Sequence, residues 1–263
     1  GLGFAIKRSA LPIATTLGGL AVPFLALTVG WRTAYVVAAG LALAVMFLVP
    51  PDRNRTAGRS ESPVPPRSVR PLWLLAGGLA AAVFAATSIG ALGAAGGVHV
   101  GLSESAAGYL IAVGGLAGLT IRLLAGLYAD RAPFDSLRAV SALVLVGGFG
   151  WLIMATDQPV AFAIGLVIAN AFGWGWPGLQ HLSMARRFPT STAAASGISQ
   201  TGIAAGLLIG PAVLGLLVTT VGWSWMWLSA AIAAFLGSAV VWVASSRIPT
   251  LRVTQHAEGG DGF

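Results

Sequence analysis

The chain has no cysteine and a single lysine, Lys7. Disulfides, thiolate zinc sites and thiol nucleophiles are therefore excluded. Because Lys7 follows Ile6, there is also no phosphate-loop lysine, and no lysine lies inside a span to form a Schiff base. Charge is as scarce. Only 9% of residues are charged, against about 25% in a soluble domain. With 56% hydrophobic residues, the chain has too little polar surface to coat a soluble globule. The segments of alternating apolar and polar residues that a transmembrane barrel needs are missing too. What remains is an all-α polytopic membrane protein, whose apolar residues come in long runs rather than half-polar stripes.

Eight such runs can be read, each near the ~20 residues that cross a bilayer core. They are Leu11 to Val29, Thr33 to Val49, Leu72 to Leu92, Ser105 to Tyr128, Arg138 to Ala155, Val160 to Met184, Ala194 to Thr220 and Trp223 to Ala244. One long polar interval separates them, Pro50 to Pro71, rich in proline and carrying Arg53, Arg55, Arg59, Arg67 and Arg70. It reads as a solvated linker. The expected organisation is two helices over 1–49, the linker over 50–71, six helices over 72–246 and a tail over 247–263.

The formal charge of +7 is placed in a way that argues against nucleic acid. Lys7, Arg8, the linker arginines, Arg131, Arg138, Arg186, Arg187, Arg247 and Arg252 all fall on alternate connections. The other connections, around Gly30, His99, Asp157 and Gly222, hold only Arg32. The positive-inside rule then puts the linker and both ends of the chain in the cytoplasm, with the protein multi-pass in the cell membrane. On this threading the sequon Asn54, Arg55, Thr56 faces the cytoplasm and stays unglycosylated. Trp31, Trp223, Trp225 and Trp227 open helices on the outer side, where an indole can anchor at headgroup level.

The first two helices resemble the last two. Gly18, Gly19, Pro23, Gly30 and Trp31 recur in order as Gly206, Gly210, Pro211, Gly222 and Trp223. The chain also opens on Gly1 without a methionine or a cleavable signal peptide. The expectation is an N-terminally truncated piece of a protein built from two parallel six-helix repeats.

Three groups of residues suggest a site. Gly114, Gly118, Arg122 and Gly126 recur every fourth residue, so Arg122 points at a neighbouring helix. It makes either a structural or gating contact near Asp130 or a contact with an anionic substrate group. Asn170, Trp174, Pro177 and His181 share one face of the sixth run, which is too polar for lipid. Gly173, Gly175 and Pro177 weaken the helix there, where a freed carbonyl could serve a ligand. Asn170 and Trp174 either touch substrate or bond a neighbouring helix, and His181 is either a ligand or a satisfied interfacial imidazole. In the seventh run Ser199, Gln200 and Thr201 are polar enough to line a pathway, beside a close-packing seam of Gly202, Gly206 and Gly210, and Gln200 either does so or bonds a neighbour. Gly173 to Gly178 spells a dinucleotide fingerprint, but inside a spanning helix it is a chance match.

The turn Gly126, Leu127, Tyr128, Ala129, Asp130, Arg131 resembles the second copy of the cytoplasmic loop motif of the major facilitator superfamily, in which Gly, three residues, Asp and Arg follow one another. Ala132, Pro133, Phe134 and Asp135 stand where that motif continues with glycine and basic residues. The Pro23 to Arg32 stretch is similar to the fifth and sixth helices of the same family. The resemblance implies helices 5 to 12 of a twelve-helix transporter, with Gly126, Asp130 and Arg131 at a gate between two bundles, as against a plain capping aspartate. It also implies that the third and sixth runs line the substrate cavity, with Thr87 and Ser88 offered by the third.

The expected function is secondary active transport of a small solute by alternating access, with the proton as coupling ion and the bilayer and the solute as partners. The alternatives are a passive facilitator, or a membrane sensor or scaffold. No enzyme, cofactor or metal is expected, and the working unit is expected to be a monomer. No carboxylate lies inside any run away from its ends, so the coupling group is expected in helices ahead of Gly1, which transport is expected to require; the alternatives are that His181 takes the part or that the protein is a passive facilitator. Arg122 would suit an organic anion and Trp174 an aromatic or amphiphilic solute.

Overall fold

A computed structural model describes residues 1–48, 69–131 and 134–248. The sequon, nearly all of the linker and most of the tail lie outside them. Among the described residues the chain is helical, with no strand. Its elements are α1 (Leu2–Lys7), α2 (Ala10–Ala21) running into a π turn (Val22–Ala26), α3 (Trp31–Leu48), α4 (Arg70–His99), α5 (Glu104–Arg131), α6 (Ser136–Met154), α7 (Pro159–Gly173), α8 (Pro177–Arg187), α9 (Thr192–Val221) and α10 (Trp223–Arg247). Counting α7 with α8 as one span, seven are long and apolar enough to cross a bilayer. Helix α4 starts at Arg70 with a proline in its first turn, so the linker ends slightly earlier than its composition suggested.

The first expected span is the exception, because only the shorter stretch Ala10–Ala26 is continuous. Proline is the cause at both ends. Pro12 has no N–H to give the carbonyl of Arg8 one turn back, and the chain parts between α1 and α2. Pro23 likewise cannot reach Gly19, and the backbone widens so that Leu27 N–H donates to Val22 O at 3.1 Å. The sixth run also breaks in two. Pro177 withholds an N–H from Gly173 O, which accepts instead from the indole of Trp176 at 2.7 Å.

Gly30 and Gly222 both sit at positive φ, +102° and +95°, and each turns the chain into a helix that begins with tryptophan. That correspondence extends the repeat read from the sequence, although Pro211 leaves α9 unbroken where Pro23 does not.

Helix α4 is central, packed against α9 and α10 and touching α5 and α7. Close approach is purchased with glycine. A Cβ on Gly202 would lie 2.0 Å from Ala76 O, and one on Gly206 2.5 Å from Ala80 O, so only hydrogen allows α9 to lie on α4. Helices α6 and α10 are tied by reciprocal bonds, Ser141 Oγ to Ser238 O at 2.9 Å and Ser238 Oγ to Ser141 O at 2.8 Å. Trp151, Trp176 and Trp227 are fully buried.

Trp227 therefore is not the headgroup anchor that its position suggested. It lies one turn after Trp223 on the bundle side of α10, against Phe162 with ring centroids 5.7 Å apart. Trp31 and Trp225 are exposed, as anchors require.

The two ends of the bundle differ in chemistry. At one, His99 meets Asp157 at 3.3 Å and stacks on Trp223. At the other, Asp130, Asp135, Arg186 and Arg187 converge.

Candidate functional site

A cavity of about 380 Å³ opens where α2, α4, α7 and α9 meet. Thr15, Thr87, Asn170, Trp174, Leu207 and Pro211 are among its lining. A second cavity, of about 430 Å³, shares Thr15, Ile89 and Gly90 with it and continues along α2 and α5. Both are of the size that small-molecule sites take.

Three of the expected substrate residues thus meet on one wall. Trp174 turns its indole N–H to Ala86 O at 3.1 Å, which fixes the ring against α4. Thr87 gives its hydroxyl proton to Phe84 O at 2.7 Å, leaving only lone pairs for anything else. Asn170 lies over Gly114 and Gly118: a Cβ on Gly114 would fall 2.9 Å from its amide nitrogen. That nitrogen is buried and has no hydrogen-bond partner among the described residues, an uncommon condition for a polar group inside a protein.

Ser88 does not join this wall. One residue along α4 the side chain turns about 100°, and Ser88 is buried against α6, accepting from the Trp151 indole at 2.9 Å. His181 and Gln200 are also elsewhere. Gln200 Nε2 lies 2.8 Å from His181 Nε2, which the Arg8 guanidinium also meets, and His181 Nδ1 lies 2.8 Å from Pro177 O. Two donors on Nε2 assign the ring proton to Nδ1, toward Pro177 O. Neither residue lines the cavity. Ser199 is buried and accepts from Gln180 Nε2 at 2.8 Å, while Thr201 is exposed.

Arg122 is buried and does not line the cavity. Its guanidinium donates to the carbonyls of Arg8 and Trp174, two groups at helix breaks. The carbonyls freed at the α7–α8 break are thus already taken, Gly173 O by the Trp176 indole and Trp174 O by Arg122. Asp130 is not its partner. The Asp130 carboxylate accepts instead from the backbone of α1, with Leu2 N–H at 2.8 Å. Gly126 makes room for this contact, since a Cβ there would lie 2.7 Å from that of Ala5. Arg131 ends α5 exposed to its surroundings.

Sequence reasoning missed Thr15 and the structural use of Arg186 and Arg187. Arg186 donates to Ala129 O at 2.9 Å. Arg187 is buried, pairs with Asp135 at 2.5 Å and also donates to the carbonyls of Ser245 and Ile248. Asp135 meanwhile caps α6 through Leu137 N–H at 3.0 Å. The available signal was an Asp three residues before a basic helix turn. Nothing in the sequence, however, ties it to Arg187, 52 positions away.

A multi-pass helical membrane bundle enclosing a solute-sized cavity between broken helices has the anatomy of a membrane transporter. Residues 1–191 match the family described as the Major Facilitator Superfamily. The match covers most of the chain, and the chain belongs to that superfamily of membrane transporters, as its loop motif suggested. No curated protein matches it.

Proposed function

We propose that the protein is a secondary active transporter, which moves a small solute by alternating access through the cavity between α2, α4, α7 and α9. The observation that carries this reading is Asn170, a buried amide without a protein partner on the wall of a solute-sized cavity, beside a helix break. Such breaks beside a cavity are where transporters hold their solutes. Asn170, Trp174 and Thr87 are the solute-contacting residues, and Arg122 holds the broken helices rather than the solute.

The latch is the contact of Asp130 with Leu2 of α1. It stands beside the packing of Ala5 on Gly126, and losing it would let α1 part from α5. The arginine-rich end is cytoplasmic in this reading, the membrane is the cell membrane and the unit is a monomer. Protons drive transport, although no carboxylate lines the cavity among the described residues. The described carboxylates sit at helix ends or in turns, as at Glu104, Asp130, Asp135 and Asp157. The reading therefore places the proton-binding carboxylate outside the described residues.

The test is uptake into membrane vesicles from cells expressing the gene, with an imposed pH gradient and a panel of small organic solutes. A carrier accumulates at least one solute saturably, and Asn170→Ala and Trp174→Ala abolish the accumulation while the protein stays in the membrane. Equilibration without accumulation, indifferent to the gradient, would make it a facilitator. Accumulation that survives both substitutions would remove the site.

A further inference from the structure

We propose that the groove framed by α5, α6 and α10 at the arginine-rich end of the bundle holds an anionic phospholipid, with its phosphate at Arg138 and an acyl chain along α6. This needs only that the bundle stands in a bilayer, and it holds whatever the solute is.

The groove has a volume of about 610 Å³. It opens on the outer surface of the bundle, since Tyr128, Arg138, Ala142, Val146 and Trp242 on its wall are all exposed. Away from Arg138 its lining is hydrocarbon, with Leu143 and Val146 from α6 and with Phe172 and Leu179 from either side of the α7–α8 break. Between Arg138 and Val146 the helix rises ~12 Å, a length along which a lipid chain can lie. In a membrane such a surface meets lipid, and the headgroup is what remains to be selected.

Charge makes the selection. The Arg138 guanidinium lies over the Trp242 ring, 5.1 Å from its centroid, which keeps the cation on the groove wall. Asp135 lies 3.7 Å from it, but that carboxylate is already paired with the buried Arg187 at 2.5 Å and caps α6 through Leu137 N–H. One carboxylate shared by two guanidiniums leaves a positive charge over, and the exposed Arg138 carries it. Helices α5, α8 and α10 bring Arg131, Arg186 and Arg247 to the same end, where Asp130 is the other acidic residue among those described from α5 onward. An anionic headgroup such as phosphatidylglycerol neutralises this excess, whereas a zwitterionic one adds an ammonium group to it. Arginine also suits phosphate, because its planar fork can meet two oxygens at once.

The lack of cysteine lets one thiol-linked fluorophore be placed at a time. Val146→Cys puts it in the groove, and Leu236→Cys puts it on an exposed part of α10 outside the groove. Each position stands ~15 Å of helix rise from the arginine-rich end. The full chain is reconstituted into phosphatidylcholine vesicles, and quenching by phosphatidylglycerol with brominated acyl chains is compared with quenching by phosphatidylcholine brominated in the same way. At Val146 the anionic lipid is expected to associate about fivefold more strongly than the zwitterionic one. At Leu236 little preference is expected. Arg138→Gln should bring the ratio at Val146 down to that at Leu236 while quenching by brominated phosphatidylcholine stays as it was, which checks that the groove still forms. Arg138→Lys should keep most of the preference, since the charge remains. Equal association of the two lipids at Val146 with Arg138 in place overturns the proposal, and so does a preference that survives Arg138→Gln. A preference of the same size at Leu236 overturns it as well, because anionic lipid would then gather around the whole bundle and not in this groove.

Discussion

Arg122 donates to the carbonyl of Trp174, the residue that caps the C-terminal end of α7. The same guanidinium donates to the carbonyl of Arg8, which caps the C-terminal end of α1. Each helix end carries up to about half a negative charge from its unpaired carbonyls, less for the short α1. A buried cation that meets two such ends finds a counter-charge without any carboxylate. The prolines create the arrangement, since Pro12 frees the first carbonyl and Pro177 breaks the helix beside the second. Arg122 therefore joins the first half of the cavity wall to the second, with α5 as the post.

Replacing Arg122 with leucine should strip both carbonyls of their donor. At about 1 to 3 kcal/mol for each unmatched buried group, less what is regained by no longer burying a cation, the net loss is about 2 to 4 kcal/mol. Thermal unfolding in detergent should fall by about 5 °C or more. Arg122→Lys should fall less, because a single ammonium can still reach one carbonyl. An unchanged midpoint together with lost transport of an anion would instead make Arg122 a solute ligand.

Asp130 should govern how often α1 lifts from α5. Ala5 is fully buried against Gly126, so Ala5→Cys reports the parting through its maleimide labelling rate. Adding Asp130→Asn removes the carboxylate charge at the Leu2 contact but keeps an acceptor. Labelling should rise once the charge is removed. Salt should narrow the difference, because the carboxylate is half exposed. A rate that does not change would leave Asp130 a local cap.

The sequence showed the helical membrane class, all but one of the long spans and the family, because apolar run length and arginine placement are one-dimensional signals. It also showed that Asn170 and Trp174 share a face with a helix break, since that follows from period and proline. Three matters needed the third dimension. Thr87 and Ser88 look equivalent on paper, yet only the turn between them decides which meets the cavity. His181 and Gln200 look like free ligands, and their mutual contact depends on how α8 leans on α9. The partners of Arg122 are backbone carbonyls, which no residue letter announces.

Gly150 and Gly165 should tolerate no side chain. A Cβ on Gly150 would lie 2.5 Å from Ala169 N and 2.6 Å from Gly165 O, and one on Gly165 would lie 2.5 Å from Gly150 O. These are backbone atoms of a packed helix pair and cannot step aside. Gly150→Ala should lower the unfolding midpoint in detergent by an amount matching about 1 to 3 kcal/mol of overpacking. Gly215, also inside a helix, meets nothing within 4 Å. Gly215→Ala should be neutral or raise the midpoint slightly, since alanine is the better helix former by up to about 1 kcal/mol. Equal effects at the two positions would mean that α6 and α7 do not approach as described.

Gln158 and Arg186 should be labelled from opposite faces of the membrane. Gln158 precedes α7 beside Asp157, at the end where His99 stacks on Trp223, and is exposed. Arg186 closes α8 at the end holding Asp130 and Asp135, and is also exposed. Between them runs one broken span, from Pro159 to Arg187. In cells expressing Gln158→Cys, an impermeant thiol reagent added outside should react at once. With Arg186→Cys it should react only after the membrane is opened, because the positive-inside rule puts the arginine-rich end in the cytoplasm. Reaction of both from outside would mean that α7 and α8 do not cross, and the cavity between α4, α7 and α9 could not then lie within the membrane. Reaction in the reverse order would leave the fold intact and invert the protein, with the Asp130 latch on the outer face.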